Sequence, residues 1–206
     1  MIDTIPALIN ETFPIPARFR GKLPKQIAEL SQMLTNRRGD RSLSYLNRPE
    51  YLSAYLHYFL PWNLYRLYLL LPTLDISLSA GDTITDLGCG PLTFVSALWI
   101  TRPDLQKIPL EINCIDRSGQ VLEAGNKFFA AVSGNNNKNW KINLIKEDID
   151  LRKVNLAGFN QGQKKKKAAF RETVPVLEMS HLLVRELYLS LFLLSNNFRY
   201  RDNYSA

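Results

Sequence analysis

The chain has 206 residues, is 46% apolar and carries a formal net charge of +7, enough for one ordinary domain with a small appended region. Its two cysteines, Cys89 and Cys114, make neither a disulfide framework nor a zinc site, and they fit a reduced, cytoplasmic compartment with no bound metal. The opening MIDTIPALINETFPIP lacks a basic start before an apolar run, so no secretory signal is expected.

No membrane segment is expected either, because the closest candidate, LLVRELYLSLFLL (182–194), is short and contains Arg185 and Glu186. Residues 151–206 hold ten Lys or Arg against four acids, which is +6 of the +7. The basic balance therefore belongs to the tail and does not by itself mark the preceding part as a phosphate binder.

In chain order, LPKQIAELSQMLTN (23–36) predicts a helix, with Pro24 in its first turn and Leu23, Ile27, Leu30 and Leu34 as one apolar stripe. NRRGDRS (36–42) breaks it at Gly39. A second helical stretch, RPEYLSAYLHYFLPWNLYRLYLLLP (48–72), opens at Pro49, is kinked or divided by Pro61 and closes at Pro72. Tyr51, Tyr55, Tyr58, Phe59, Trp62, Tyr65 and Tyr68 crowd it, and packing onto the next domain is favoured over stacking on RNA bases.

After residue 80 the pattern changes. DTITDLG (82–88), PLEINCID (109–116) and WKINLIKEDI (140–149) predict strands. Between them, PLTFVSALWITR (91–102) predicts a helix with Leu92, Val95, Leu98 and Trp99 on one side. SGQVLEAGNKFFAAVS (118–133) predicts another, with Val121, Leu122, Phe128 and Phe129 inward. The β-α-β-α-β order predicts an α/β fold with a right-handed parallel unit.

The turn after the first strand, in ITDLGCGPLTF (84–94), is the candidate site. Gly88 and Gly90 permit positive φ and close backbone approach to a ligand. Ligands of open parallel sheets sit beyond the carboxyl ends of the strands, against helix N-termini. Acids mark those ends: Asp86 on the first strand, Asp116 on the second, and Asp148 beside Glu147 on the third. A dinucleotide fingerprint needs a third glycine at position 93, which is Thr. Cys89 is expected to be a small turn residue rather than a nucleophile, and His57 and His181 to be structural or surface histidines.

DLGCGPLT (86–93) resembles the first motif of class I S-adenosylmethionine-dependent methyltransferases, an acid followed by G-x-G. That resemblance implies an incomplete Rossmann-like, doubly wound methyltransferase domain with S-adenosylmethionine as cofactor. It assigns Asp86 and the turn Gly88–Cys89–Gly90 to the methionine portion, Asp116 to the ribose and Asp148 to the adenine. Leu92 stands where the family often has its third glycine. PARFRGKLP, LSQMLTNRRGDRSLSYL and YLSAYLHYFLPWNLYRL, placed before that motif, resemble the methyltransferase-like family of the ribosomal small subunit, bacterial and mitochondrial, over roughly residues 15–155. The resemblance implies small-subunit ribosomal RNA or an assembling subunit as partner. Cysteines that the family associates with an iron–sulfur cluster have no counterparts here, so no cluster is expected. Arg18, Arg20, Lys22, Lys25, Arg37, Arg38, Arg41 and Arg48 would contact phosphates, or else form a solvated helix face.

This divides the chain into a helical region (1–78), an S-adenosylmethionine-binding half-domain (79–155) and a basic linker with one helix and a disordered end (156–206). VPVLEMSHLLVRELYLSLFLL (174–194) predicts that helix, and no strand four or catalytic motif is legible after position 148. Either the protein is naturally short and its last helix covers the sheet edge, or the reading frame slips in the adenine-rich codons of Lys164 to Lys167. The missing strands favour the second. The functional expectation is a methyltransferase-like protein acting on or with the small subunit. The alternatives are a non-catalytic RNA-binding or ribosome-assembly factor and an inactive fragment.

Overall fold

The computed structural model describes residues 2–35, 45–134 and 136–148, which lie in one compact unit, Met1–Gly162. The break at Gly39, the cations Arg37, Arg38 and Arg41, the lysine run, His181 and the helix expected at 174–194 lie outside the described residues.

A helix that the sequence reading passed over comes first. α1 (Ile5–Thr12) carries Pro6 in its first turn, where a missing N–H costs nothing. Ile5 and Ile9, one turn apart, are 2% and 1% exposed. α2 (Ala17–Arg20) is a single turn, and α3 (Leu23–Thr35) follows the expected stripe, with Leu30 fully buried and Leu23, Ile27 and Leu34 around it. A turn at Tyr45–Asn47 leads into α4 (Pro49–Ala54), whose Tyr51 and Ala54 complete that small core.

Pro61 divides the next stretch by a particular route. It has no N–H to give the carbonyl four residues back. The chain winds a π turn over Tyr55–Phe59 instead, and the Leu60 N–H reaches the Tyr55 carbonyl. α5 (Leu60–Leu70) then runs regularly. Its inward stripe is aliphatic: Leu60, Leu64 and Leu67 are buried and the helix packs on α6 (Thr93–Thr101). The aromatic-packing expectation is corrected here. Tyr51 is buried and Tyr55 and Phe59 are half-buried, but Tyr58, Trp62, Tyr65 and Tyr68 are exposed. The leucines occupy the face that meets the α/β part, so the rings between them in sequence turn outward.

β1 (Thr83–Leu87), β2 (Leu110–Asp116) and β3 (Trp140–Lys146) form a three-stranded parallel sheet in the order β1-β2-β3. β1 leads through α6 to β2, and β2 through α7 (Gly119–Ser133) to β3, as the alternation of patterns predicts. In register, Ile84 lies beside Ile112 and Ile112 beside Ile142, while Asp86 lies beside Cys114. Trp99 of α6, Phe129 of α7 and Trp140 of β3 pack as one aromatic group with centroids 4.9 to 6.1 Å apart. The buried Trp140 indole donates to the Leu105 carbonyl at 3.0 Å, so its polar edge is satisfied.

Alternation puts Thr83, Thr85, Glu111, Asn113, Lys141 and Asn143 on the other sheet face. There the Asn143 amide donates to Asn113 and Glu111, both at 2.8 Å, and Lys141 donates to Glu111 at 2.8 Å. A parallel sheet covered on both faces normally shows apolar residues on both. This one is polar over the first half of its second face and apolar only at the row Leu87, Ile115, Ile145. Among the described residues, no helix is long and apolar enough to cross a membrane.

Candidate functional site

The turn that leaves β1 takes the conformation its glycines permit. Gly88 has φ +70° and Gly90 φ +55°, both in the left-handed region that a side chain penalises. Leu92 has φ +54° and ψ +39°, although it is not glycine. The backbone thus makes the bend for which the resembled motif uses a third glycine. Leu92 retains it because its side chain is fully buried.

The turn is tied to β2 by its own amides. The N–H groups of Gly88 and Cys89 both donate to the Ile115 carbonyl, at 2.8 and 3.1 Å. Gly90 N–H donates to Asp116 Oδ2 at 3.1 Å, and Ser118 N–H donates to Asp116 Oδ1 at 2.9 Å. Asp116 therefore clamps the turn to the start of α7, whose N-cap is Ser118, accepting from Val121 N–H. The amides of Gly88, Cys89 and Gly90 are thus all engaged within the protein.

Asp86 lies beneath the turn and is 5% exposed. Burial, and secondarily the nearby Asp116, push its carboxyl up to about 7. Its Oδ2 has no hydrogen-bond partner among the described residues. Cys89 is also buried. Its hydrogen bond to Cys114, its burial and the charge of Asp86 all push the thiol up, so it stays protonated and is no nucleophile. Both cysteines are free.

The structure thus brings Asp86, Gly88, Cys89, Gly90 and Asp116 together. Asp148 stands apart: it lies two residues past β3 and is exposed. The chain does pass close by, because Glu147 N–H donates to the Asp116 carbonyl at 3.0 Å and extends the ladder. Of the candidate phosphate-contacting cations, Arg18, Arg20, Lys22 and Lys25 are exposed on α2, α3 and the turn between them, away from this turn in sequence. Arg48 pairs with Glu50 at 2.8 Å and lies over the Tyr51 ring.

Sequence reasoning missed three contributors. Gly125 is the first. A Cβ there would lie 2.5 Å from the Pro91 carbonyl carbon and 2.8 Å from the Leu92 nitrogen, so the α7 backbone rests directly against the turn. A lone glycine inside a helical pattern was the available signal. Asn47, whose Oδ1 accepts from Ser118 Oγ, is the second. The third is Tyr55, whose hydroxyl lies 3.9 Å from where a Cβ on Gly90 would sit. No local signal pointed to these two, because both arrive from the helical region through long-range contacts.

The chemistry of this arrangement suits a ligand that donates hydrogen bonds. Two carboxylates lie under and beside a turn whose bare Gly88 offers close approach, with nothing among the described residues within 4 Å of its Cβ position. Hydroxyl or ammonium groups match such a lining, and phosphate does not. No group of three or more His, Cys, Asp or Glu placed to hold a metal ion occurs among the described residues. No model of a known protein family matches the chain, and no curated protein or solved structure matches it either.

Proposed function

We propose that the α/β part is a Rossmann-like S-adenosylmethionine-binding unit, and that the protein is methyltransferase-like, acting on or with the ribosomal small subunit or its RNA. The observation that carries this reading is the acidic glycine turn: Asp86 and Asp116 flank Gly88 and Gly90 at the carboxyl ends of adjacent parallel strands. The residues present fit the cofactor. Asp116 keeps lone pairs beyond its two backbone bonds, which suits the hydroxyls of a ribose. The glycine turn over Asp86 suits the amino-acid end, and Asp148, at the exposed lip, is the adenine candidate. S-adenosylmethionine, when bound, supplies an electrophilic methyl group; the chain's part is to bind and orient it.

Thr93, standing where a dinucleotide fingerprint has its third glycine, argues against a dinucleotide.

Calorimetric titration of the full chain with S-adenosylmethionine and, separately, with oxidised nicotinamide dinucleotide tests the cofactor. Saturable binding of the first alone is expected. Binding of the second alone overturns the reading. Transfer of a radiolabelled methyl group to small-subunit RNA then marks an enzyme, whereas RNA binding without transfer marks an assembly factor.

A further inference from the structure

The helical region carries its charge unevenly. Residues 12–28 hold four cations, Arg18, Arg20, Lys22 and Lys25, and no acid. All four are exposed, and so is every residue from 16 to 22. α2 buries nothing, so packing does not account for its composition. Like charges this close repel one another. Lys22 and Lys25 also stand at the start of α3, the positive end of its dipole, where the first turn has no acid to balance them. Among the described residues, one of the four has an ion-pair partner, Lys25 with Glu29 at 3.9 Å. Cations elsewhere are matched more closely: Arg48 by Glu50 at 2.8 Å, Arg102 by Asp104 at 2.7 Å and Lys141 by Glu111 at 2.8 Å.

An aromatic ring lies inside this patch. Phe19 is 42% exposed, and the Arg18 guanidinium lies over its ring, 4.8 Å from the centroid. Arg20 Nε donates to the Ile15 carbonyl at 3.1 Å, which holds that guanidinium against the chain just before α2. Cations beside an exposed flat ring meet both needs of a single-stranded nucleic acid: its phosphates take the charges, and an unpaired base stacks. An acidic peptide would use the cations and leave the ring idle. An anionic membrane would need a broader apolar face than one ring with a guanidinium over it, and Ile15 and Leu23 to either side are half-buried.

We propose that α2 and the start of α3 form a docking surface for single-stranded nucleic acid, with Arg18, Arg20, Lys22 and Lys25 on phosphates and Phe19 under a base. This rests on the RNA part of the reading above and gives it a place on the molecule; it is independent of the cofactor.

The test is fluorescence anisotropy of a labelled single-stranded RNA of mixed sequence with the full chain, over a range of salt. Each phosphate contact contributes about −0.7 to the slope of log affinity against log salt. Arg18→Gln, Arg20→Gln and Lys22→Gln together should therefore flatten the slope by about two. Lys107→Gln, Lys127→Gln and Lys138→Gln together remove the same charge from exposed positions of the α/β part and should leave the slope within about 0.5. Phe19→Ala should weaken binding about tenfold at every salt with the slope unchanged, the mark of lost stacking. The cations of residues 151–206 are common to all these proteins. An unchanged slope in the first triple variant, equal flattening in the second, or full affinity in Phe19→Ala overturns the inference. So does a first triple variant that loses binding to phosphatidylserine vesicles while keeping the RNA, which would assign the patch to a membrane. If the unaltered chain does not bind the RNA, the RNA reading itself fails, and this surface fails with it.

Discussion

Asp86 should make the protein less stable as pH rises, and Asp86→Asn should remove that dependence. The carboxyl is buried, lies near Asp116 and is pushed up to about 7 from an ordinary 3.8. The folded state then holds a proton that the unfolded chain has already released. Stability from this group is complete below the unfolded value, is lost as pH climbs towards 7, and levels off above it. At about 1.4 kcal/mol for each pH unit of displacement, the cost at pH 8 approaches about 4 kcal/mol. Asparagine has nearly the same shape and carries no charge. Its amide inherits the unpartnered position of Oδ2, which costs about 1–3 kcal/mol. The protonated acid suffers similarly at low pH, so the two proteins should be nearly equal below the unfolded value, with the variant ahead by about 1.5 kcal/mol at pH 5. At pH 8 the lead should widen to about 3–4 kcal/mol. Urea denaturation followed by circular dichroism at both pH values measures this. The other shifted carboxyls, Asp104 and Glu111, are lowered by Arg102 and Lys141 respectively, so they titrate below this window and are common to both proteins. Parallel stabilities from pH 5 to 8 in the two proteins would refute the reasoning.

Three further outcomes are expected. Gly125→Ala gains about 1 kcal/mol of helix propensity. Its new Cβ meets backbone at 2.5 Å, and overpacking of about 1–3 kcal/mol or more should win, seen as a lower thermal midpoint. A raised midpoint would show that α7 can shift away from the turn. Leu92→Gly relieves about 1–2 kcal/mol of left-handed strain but empties a fully buried leucine site, worth about 2–5 kcal/mol, so chemical denaturation should show net destabilisation. Asp116→Ala should weaken S-adenosylmethionine by about 1.5–3 kcal/mol in calorimetry, and equal affinity would mean the ribose site is misplaced.

Much of the architecture is local information. Helical and alternating periodicities located α3, α6, α7 and all three strands to within a few residues. The chemistry of Gly88 and Gly90 announced a bend of positive φ before any contact was known. α1 escaped notice because its apolar spacing rests on few residues, Ile5 and Ile9 among prolines, and its partners, α7 and the π turn, lie far along the chain.

Register, facing direction and electrostatics came from the assembled chain. Seven aromatics in one helical stretch do not say which side meets the core; the leucine face settled it and left four rings outside. A strand-end acid can be solvated or buried, and only the closure of α6 and α7 over β1 and β2 desolvates Asp86 while Asp116 keeps its backbone donors. Gly125, Asn47 and Tyr55 reach the turn from 33 or more residues away along the chain, counted against Leu92, Ser118 and Gly90. The sequence by itself determined a strand that bends at glycines into a helix, because those preferences act within a few bonds. The tertiary structure decided what surrounds the bend, because close packing and desolvation depend on atoms that meet only after the chain has folded.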